Sequence, residues 1–393
     1  MSSADMTGSS LPPGGASAPD EAPGDVSGSD PEVSDPAAID TAARRRRNRR
    51  RWFWGLGLTM LVAAVLGALF IPTPYVLIQP GAVRPAEDRV SVGGDTEAYE
   101  TDGDVLFTTV YVDDATLFGL LRGSLDDAIE VRSSDEVYGD RGRDETRRIN
   151  RREMDLSKLV ATQQALEYLG EEATFAADGV RVLDVADDSP SATVLEPDDV
   201  IVAVGDTAVT TPAELRDALA EGQPGEVVSL TVERVVLAPG ESASAADEQR
   251  ESMALEVELT EADGRAVLGV TVEPFNPRID SDVDVEIDSG SVTGPSAGLA
   301  WSLAIIDVLT EESLTEGRDV AVTGEILGDG SVGVIGGTAQ KTATVIRNGV
   351  DTFLYPADTP EEEQQEMRRI AGDDLELVPV ATLAEAVEYL TNG

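Results

Sequence analysis

The stretch Val320–Tyr355, VAVTGEILGDGSVGVIGGTAQKTATVIRNGVDTFLY, decides the fold. It reads as strand, hairpin, glycine turn, helix and strand, and the helix carries Lys341 close to its start. From Asp282 onward the chain alternates strands with helices at short intervals, an α/β or α+β arrangement. Leu383 to Leu390 supplies a last helix.

Upstream, residues 289–301 read SGSVTGPSAGLAW and open a helix with Leu299, Leu303, Ile306 and Leu309 at helical spacing. Ser296 lies at or beside its N-terminus. Unpaired N–H groups and the positive end of the helix dipole there stabilise an alkoxide or an oxyanion. Gly294 and Gly298 permit close approach of backbone and substrate. Taken alone, a serine in this place reads first as an N-cap.

The 393 residues suffice for two or three domains, with 41% hydrophobic and 26% charged residues. A formal net charge of −46 argues against a nucleic-acid partner, because phosphate binding needs clustered cations. The spread of acid along the chain fits either salt tolerance or lineage composition. There is no Cys and no His. Disulfides, thiol catalysis, a Ser-His-Asp triad and an HExxH metal site are therefore excluded, and no metal or cofactor is expected.

Lys158 and Lys341 are the only lysines. A base for nucleophilic catalysis must then be a carboxylate, the amino terminus or one of these two. Arg cannot serve, since it does not deprotonate in proteins. Lys341 sits among Ala339, Ala343, Val345 and Ile346 with no acidic neighbour in sequence, a setting compatible with a depressed pKa.

Residues 1–43 hold Ser, Pro, Gly, Ala and acidic residues without an apolar period and are expected to be disordered. An arginine run from Arg44 to Arg51 precedes Trp52–Ile71, an uncharged stretch long enough to span about 30 Å of hydrocarbon. The arginines predict a cytoplasmic N-terminus and an extracytoplasmic remainder, a single-pass protein of the cell membrane. A cleaved signal peptide is the rival reading. Pro72 and Pro74 should end the helix. Segments such as Asp104–Val112 read as strands, Asp140–Arg152 as an exposed loop or helix, and Leu156–Leu169 as a helix stopped by Gly170.

The stretch Asp188–Gly205, DSPSATVLEPDDVIVAVG, followed by a helix in Thr211–Ala220, resembles a bacterial PDZ domain. The departures are Pro197-Asp198-Asp199 for the Gly-Asp approach and Gly205-Asp206 for the Asn-Gly turn. Ala238–Arg250 reads as a surface loop within or closing this module. The resemblance implies that an extended peptide adds to a sheet edge near Phe175–Val182, with Phe175, Gly179 and Val180 as peptide-binding residues. A spacer that only positions the next domain is the alternative.

GPSAG, the TGEI strand, the Gly336-Gly337 turn and the lysine-bearing helix together resemble the proteolytic domain of the Lon family, whose peptidases use a Ser-Lys dyad. Carried over position by position, the nucleophile falls on Ser296, the dyad lysine on Lys341 and a supporting threonine on Thr323. Thr293 stands where an acidic residue often precedes Gly-Pro-Ser, and Gln340 replaces the usual Glu before the lysine. No GxxxxGK[ST] occurs, so no ATPase module is expected. The whole order resembles bacterial PDZ-containing Lon-like membrane proteins.

The expected class is α+β, with an N-terminal transmembrane helix, a PDZ-like domain and a Lon-type proteolytic domain. The expected division is an acidic tail at 1–43, arginine-rich anchor at 44–74, strand-rich segment packing with the proteolytic domain at 75–155, PDZ-like domain at 156–260 and proteolytic domain at 261–393. The resemblance implies a membrane-anchored, ATP-independent serine endopeptidase acting on proteins or peptides, with a hexamer as its further expectation. Two rivals stand beside it: a membrane-anchored PDZ scaffold or adaptor with a silent Lon-type domain, and a signal-peptidase-like Ser-Lys enzyme.

Overall fold

The structure, a computed structural model, describes residues 36–94, 96–235 and 250–392. Residues 1–35 of the expected acidic tail and all but Arg250 of the expected Ala238–Arg250 loop lie outside these. The first helix, α1, runs Pro36–Ala68. Its part Arg49–Ala68 is long and apolar enough to cross a membrane. Residues 36–43, expected to be disordered, are helical. A proline at the first helical position loses no hydrogen bond, and the alanines and arginines that follow are good helix formers.

From Leu66 onward the chain forms a second compact unit. It begins with strands Pro72–Pro85 (β1), Asp104–Thr116 (β2) and Glu130–Ser133 (β3), then a 28-residue helix, Gly142–Leu169 (α2). The middle follows as Gly179–Val185 (β4), Val200–Val204 (β5), Pro212–Leu219 (α3), Val227–Val235 (β6), Arg250–Glu258 (β7) and Val270–Phe275 (β8). The last part is Gly298–Leu309 (α4), Asp319–Val322 (β9), Thr338–Arg347 (α5), Thr352–Pro356 (β10), Glu361–Ala371 (α6), Glu376–Val380 (β11) and Leu383–Asn392 (α7).

One six-stranded sheet has the order β11-β10-β9-β2-β1-β3. β2, β9, β10 and β11 run parallel, whereas β1 is antiparallel to β2 and β3. Successive side chains on a strand point to opposite faces, so one strand feeds two cores. Val105, Phe107, Val320, Val322 and Leu354 pack under α2, α4 and α7. Leu106, Ala321, Phe353 and Tyr355 face the other way, against Val345 of α5 and Met367 of α6. The result is three layers, with α4 in the middle of its layer and buried from Gly298 through Asp307. A helix apolar all round belongs there.

The second sheet has the order β7-β6-β5-β4-β8 and encloses a separate core that includes Val180, Val182, Ile201, Leu215, Leu230 and Val232. Two expected boundaries shift as a consequence. The expected boundary at 156 divides α2 and gives its second part to the middle module. α2 is instead one helix whose Ala161 and Ala165 lie in the core of the first sheet. β8 falls within the expected segment 261–393, yet it pairs with β4 and belongs to the middle sheet. Neither partner is written in the segment's own pattern: periodicity gives a strand or helix, not what lies beside it.

Candidate active site

β9 ends at Val322, and the next residue, Thr323, extends the pairing through its N–H to Leu354 O (3.0 Å). Thr323 therefore stands at the carboxyl end of parallel strands, where open α/β sheets hold their ligands. It is fully buried. Its Oγ1 lies 2.8 Å from Lys341 Nζ and 3.1 Å from Ser296 O.

Lys341 occupies the first turn of α5, its N–H donating to Gly337 O, and only 2% of the residue is exposed. Its Nζ lies 2.8 Å from Ser296 Oγ. Ser296 sits in the short turn Pro295–Ala297 that leads into α4 and is half-buried, so it remains reachable from solvent. The structure thus brings Ser296, Lys341 and Thr323 together from three elements and across 45 residues of sequence.

The turn of Ser296 is held from several sides. Gly324 N–H donates to Ser296 O at 3.0 Å, Ser157 Oγ to Pro295 O at 3.1 Å, and Gly294 N–H to Asn150 O at 2.8 Å. Gly294 has φ of 90°, open to glycine at little cost. Gly298 is needed for a different reason: a Cβ there would lie 2.9 Å from both Ile326 N and Ser157 Oγ. Asn150 acts through its backbone, so no side-chain signal marked it, and Ser157 lay in a segment assigned to the other module.

Proton counting orders this cluster. Thr323 has one hydroxyl hydrogen, and its only acceptor here is Ser296 O, so its lone pairs face Nζ. A neutral amine offers two hydrogens and one lone pair. In that form one N–H goes to Thr323 Oγ1 and the lone pair is free for the hydroxyl hydrogen of Ser296, whereas the ammonium donates to both oxygens. Burial disfavours the ammonium and lowers the Lys341 pKa from 10.5 to about 7. With Gln340 rather than Glu beside it in sequence, no adjacent carboxylate opposes that shift.

The expected peptide-binding residues are placed differently. Phe175 lies on a short strand, Ala173–Ala176, paired with Arg278–Ser281 and outside the middle sheet. Gly179 and Val180 lie on β4, which is hydrogen-bonded to β5 on one side and β8 on the other, and Val180 is fully buried. The segment 179–182 is therefore not an edge, because β8, unassigned to this sheet in the sequence, covers it. On that side of the sheet the edge among the described residues is β8 itself. Between it and α3 runs a groove of about 440 Å³ lined by Leu215, Leu219, Val267, Leu268, Val270 and Val272, among others.

Residues 246–392 match the family model for the Lon protease (S16) C-terminal proteolytic domain, and residues 166–257 match that for the PDZ domain. A Lon protease of Elusimicrobium minutum is 36% identical over 110 residues, which are 28% of this chain and 13% of that protein. A Lon protease of Xanthomonas oryzae pv. oryzae is 33% identical over 126 residues, 31% of this chain and 14% of that one. The chain thus spans a small part of the length of these curated relatives. The PDZ domain of an SdrC-like protein from Listeria monocytogenes is 25% identical and covers 24% of this chain and 87% of its own, with a TM-score of 0.20 that adds nothing to the family match. The chain carries a PDZ domain and a Lon protease C-terminal proteolytic domain, and the contact between Ser296 and Lys341 falls inside the second.

Proposed function

We propose that the chain is a membrane-anchored serine endopeptidase that cleaves proteins or peptides without ATP, with Ser296 as nucleophile and Lys341 as general base. The carrying observation is the 2.8 Å contact between Ser296 Oγ and a buried amine whose pKa is lowered to about 7. The neutral amine takes the hydroxyl proton as Oγ attacks the scissile carbonyl. The oxyanion that forms meets the first free N–H groups of the turn at Ser296 and Ala297, Pro295 having none to offer.

The resulting ammonium keeps its hydrogen bond to Thr323 Oγ1 and delivers a proton to the leaving amine, which breaks the peptide bond and leaves an ester on Ser296. A water then gives its proton to Lys341, attacks the ester and releases the acid, returning the hydrogen to Ser296 Oγ. The groove between α3 and β8 receives an extended segment of the substrate as an added strand, with apolar pockets choosing side chains. Freedom from ATP is supported by the lack of a GxxxxGK[ST] stretch in these 393 residues. The anchor reading, with the N-terminus cytoplasmic and the catalytic unit outside, is supported by the apolar helix and the arginines before it.

The test is casein or peptide cleavage in ATP-free buffer. Ser296→Ala and Lys341→Ala should each abolish it, and the double variant should be scarcely worse, since the two act as a unit. Lys341→Arg should be inactive because it keeps the charge and offers no base. Full activity in that variant would refute the dyad. A hexamer belongs to the same reading, and a monomeric mass at working concentration would count against it.

A further inference from the structure

Between β2 and β3 lies a short helix, Leu117–Gly123, in the stretch LFGLLRGSL from Leu117 to Leu125. Its inner side is accounted for: Leu120 packs against Leu77, Ala115 and Ile129, and Gly119 is buried against Leu77. Its outer side is apolar as well. Leu117, Phe118, Leu121 and Leu125 are exposed, Leu125 to 79%, and Arg122 is the only charge in these nine residues. In a chain of net charge −46 this is an unusual surface. Tyr75 and Tyr111, on the strands beside the helix, are exposed too.

The position of this face is fixed by the chain. Ile71 is the last residue of the uncharged run that begins at Trp52. The Leu117 N–H donates to Ile71 O at 3.2 Å, and Thr73 Oγ1 donates to Ala115 O at 2.6 Å. The helix therefore starts at the residue where the anchor leaves the hydrocarbon. At about 1.5 Å per residue, Leu125 lies roughly 12 Å along from that point. A helix apolar on both sides is stable at a soluble surface only if something covers the outer one.

We propose that Leu117, Phe118, Leu121 and Leu125 are immersed in the outer interface of the same bilayer that the anchor spans, so that the catalytic unit rests on the membrane at two points. The inference depends on the anchor reading above. A bilayer is the occupant favoured by continuity, because the face begins at the anchor's own exit. Arg122 can extend its charged end to the headgroups while its stem stays among the lipid chains.

The absence of Cys from the chain gives a clean test. Full-length protein carrying one cysteine at Leu121→Cys, Met60→Cys or Val227→Cys is labelled with an environment-sensitive fluorophore and reconstituted into phosphatidylcholine and phosphatidylglycerol vesicles. All three side chains are exposed, so the substitutions do not touch a core. Lipids bearing a nitroxide on the upper acyl chain are then added. The expected result is a fall of fluorescence by about half or more at 60 and at 121, matching burial of about 5–10 Å in the interface, with little change at 227. Quenching at 60 without quenching at 121 overturns the proposal and leaves the anchor intact. A label at 121 that is blue-shifted yet unquenched is covered by protein, such as a second copy, and overturns it equally. No quenching at 60 removes the anchor reading and the inference with it.

Discussion

Replacing Lys341 with Met should stabilise the folded protein while abolishing its activity, and the gain should depend on pH in a defined way. In the unfolded chain the lysine has a pKa of 10.5, and in the fold burial lowers it to about 7. The unfolded state thus binds more protons between these values, and stability rises with pH across that window. Below about pH 7 both states are protonated and the whole penalty applies; above about 10.5 it is gone. At 1.36 kcal/mol per unit, the penalty amounts to about 4 kcal/mol at pH 7 and about 2 kcal/mol at pH 9. Loss of the contacts to Ser296 and Thr323 offsets about 1 kcal/mol each in the Met variant, leaving a net gain of about 2 kcal/mol at neutral pH. Urea unfolding of both proteins at about pH 6, 7 and 9 measures the difference, which should be flat below pH 7 and shrink by about 2 kcal/mol by pH 9. In parallel, kcat/KM of the unmodified protein should rise with pH and level off above about 7. A pH-independent difference in stability would refute the lowered pKa of the buried amine.

Thr323→Val keeps the shape but removes the acceptor for Nζ, leaving a buried N–H unpaired at a cost of about 1–3 kcal/mol; kcat should fall about 10- to 100-fold in the peptide assay with the fold intact by circular dichroism. Gly298→Ala places a Cβ 2.9 Å from Ile326 N, which must displace the Ser296 turn; cleavage should drop about 100-fold, and an active-site fluorophosphonate probe should label Ser296 correspondingly slowly. Val267→Glu introduces a charge into the groove beside β8 and should lower kcat/KM for casein by about 10-fold while leaving a short peptide unaffected. Equal loss on both substrates would favour a module that only spaces the catalytic unit.

The pairing of Ser296 with Lys341 was legible in the sequence because composition left few alternatives. With no histidine or cysteine and two lysines, a base had to come from a short set, and Lys341 stood on an apolar helix without acidic neighbours. Local patterns also gave the element types: the segment 320–355 forms the strand, turn, helix and strand in the order read. What failed was adjacency. The strand Val270–Phe275 is as strand-like as its neighbours, and nothing in its residues says that it pairs with Gly179–Val185 rather than with the sheet that follows. That single pairing turned the expected peptide-receiving edge into an interior strand and moved the groove to the other side of the module. α2 misled through its charge: its first half carries arginines and acids and fully buries only Met154, while its second half carries the small residues that pack in the core.

The chain order of the two cores has a physical consequence for catalysis. The Lon family model matches from residue 246, yet β9, which delivers Thr323, pairs along its whole length with β2, from Asp319 beside Asp104 to Val322 beside Phe107. α4, which follows Ser296, packs on α2, with Ser302 Oγ donating to Ala161 O, and Gln164 Nε2 of α2 donates to Gly328 O in the hairpin after Thr323. The PDZ sheet is therefore inserted into a catalytic unit made from segments on either side of it. α2 spans about 40 Å at 1.5 Å per residue, from the region of the anchor strands to Gly170 at the entrance of the PDZ sheet. On the way it supplies Asn150 and Ser157, which hold the two residues just before Ser296, Gly294 and Pro295. The residues that hold the turn of Ser296 and the chain that leads into the PDZ sheet thus belong to one helix, and only residues 170–178 separate that helix from β4.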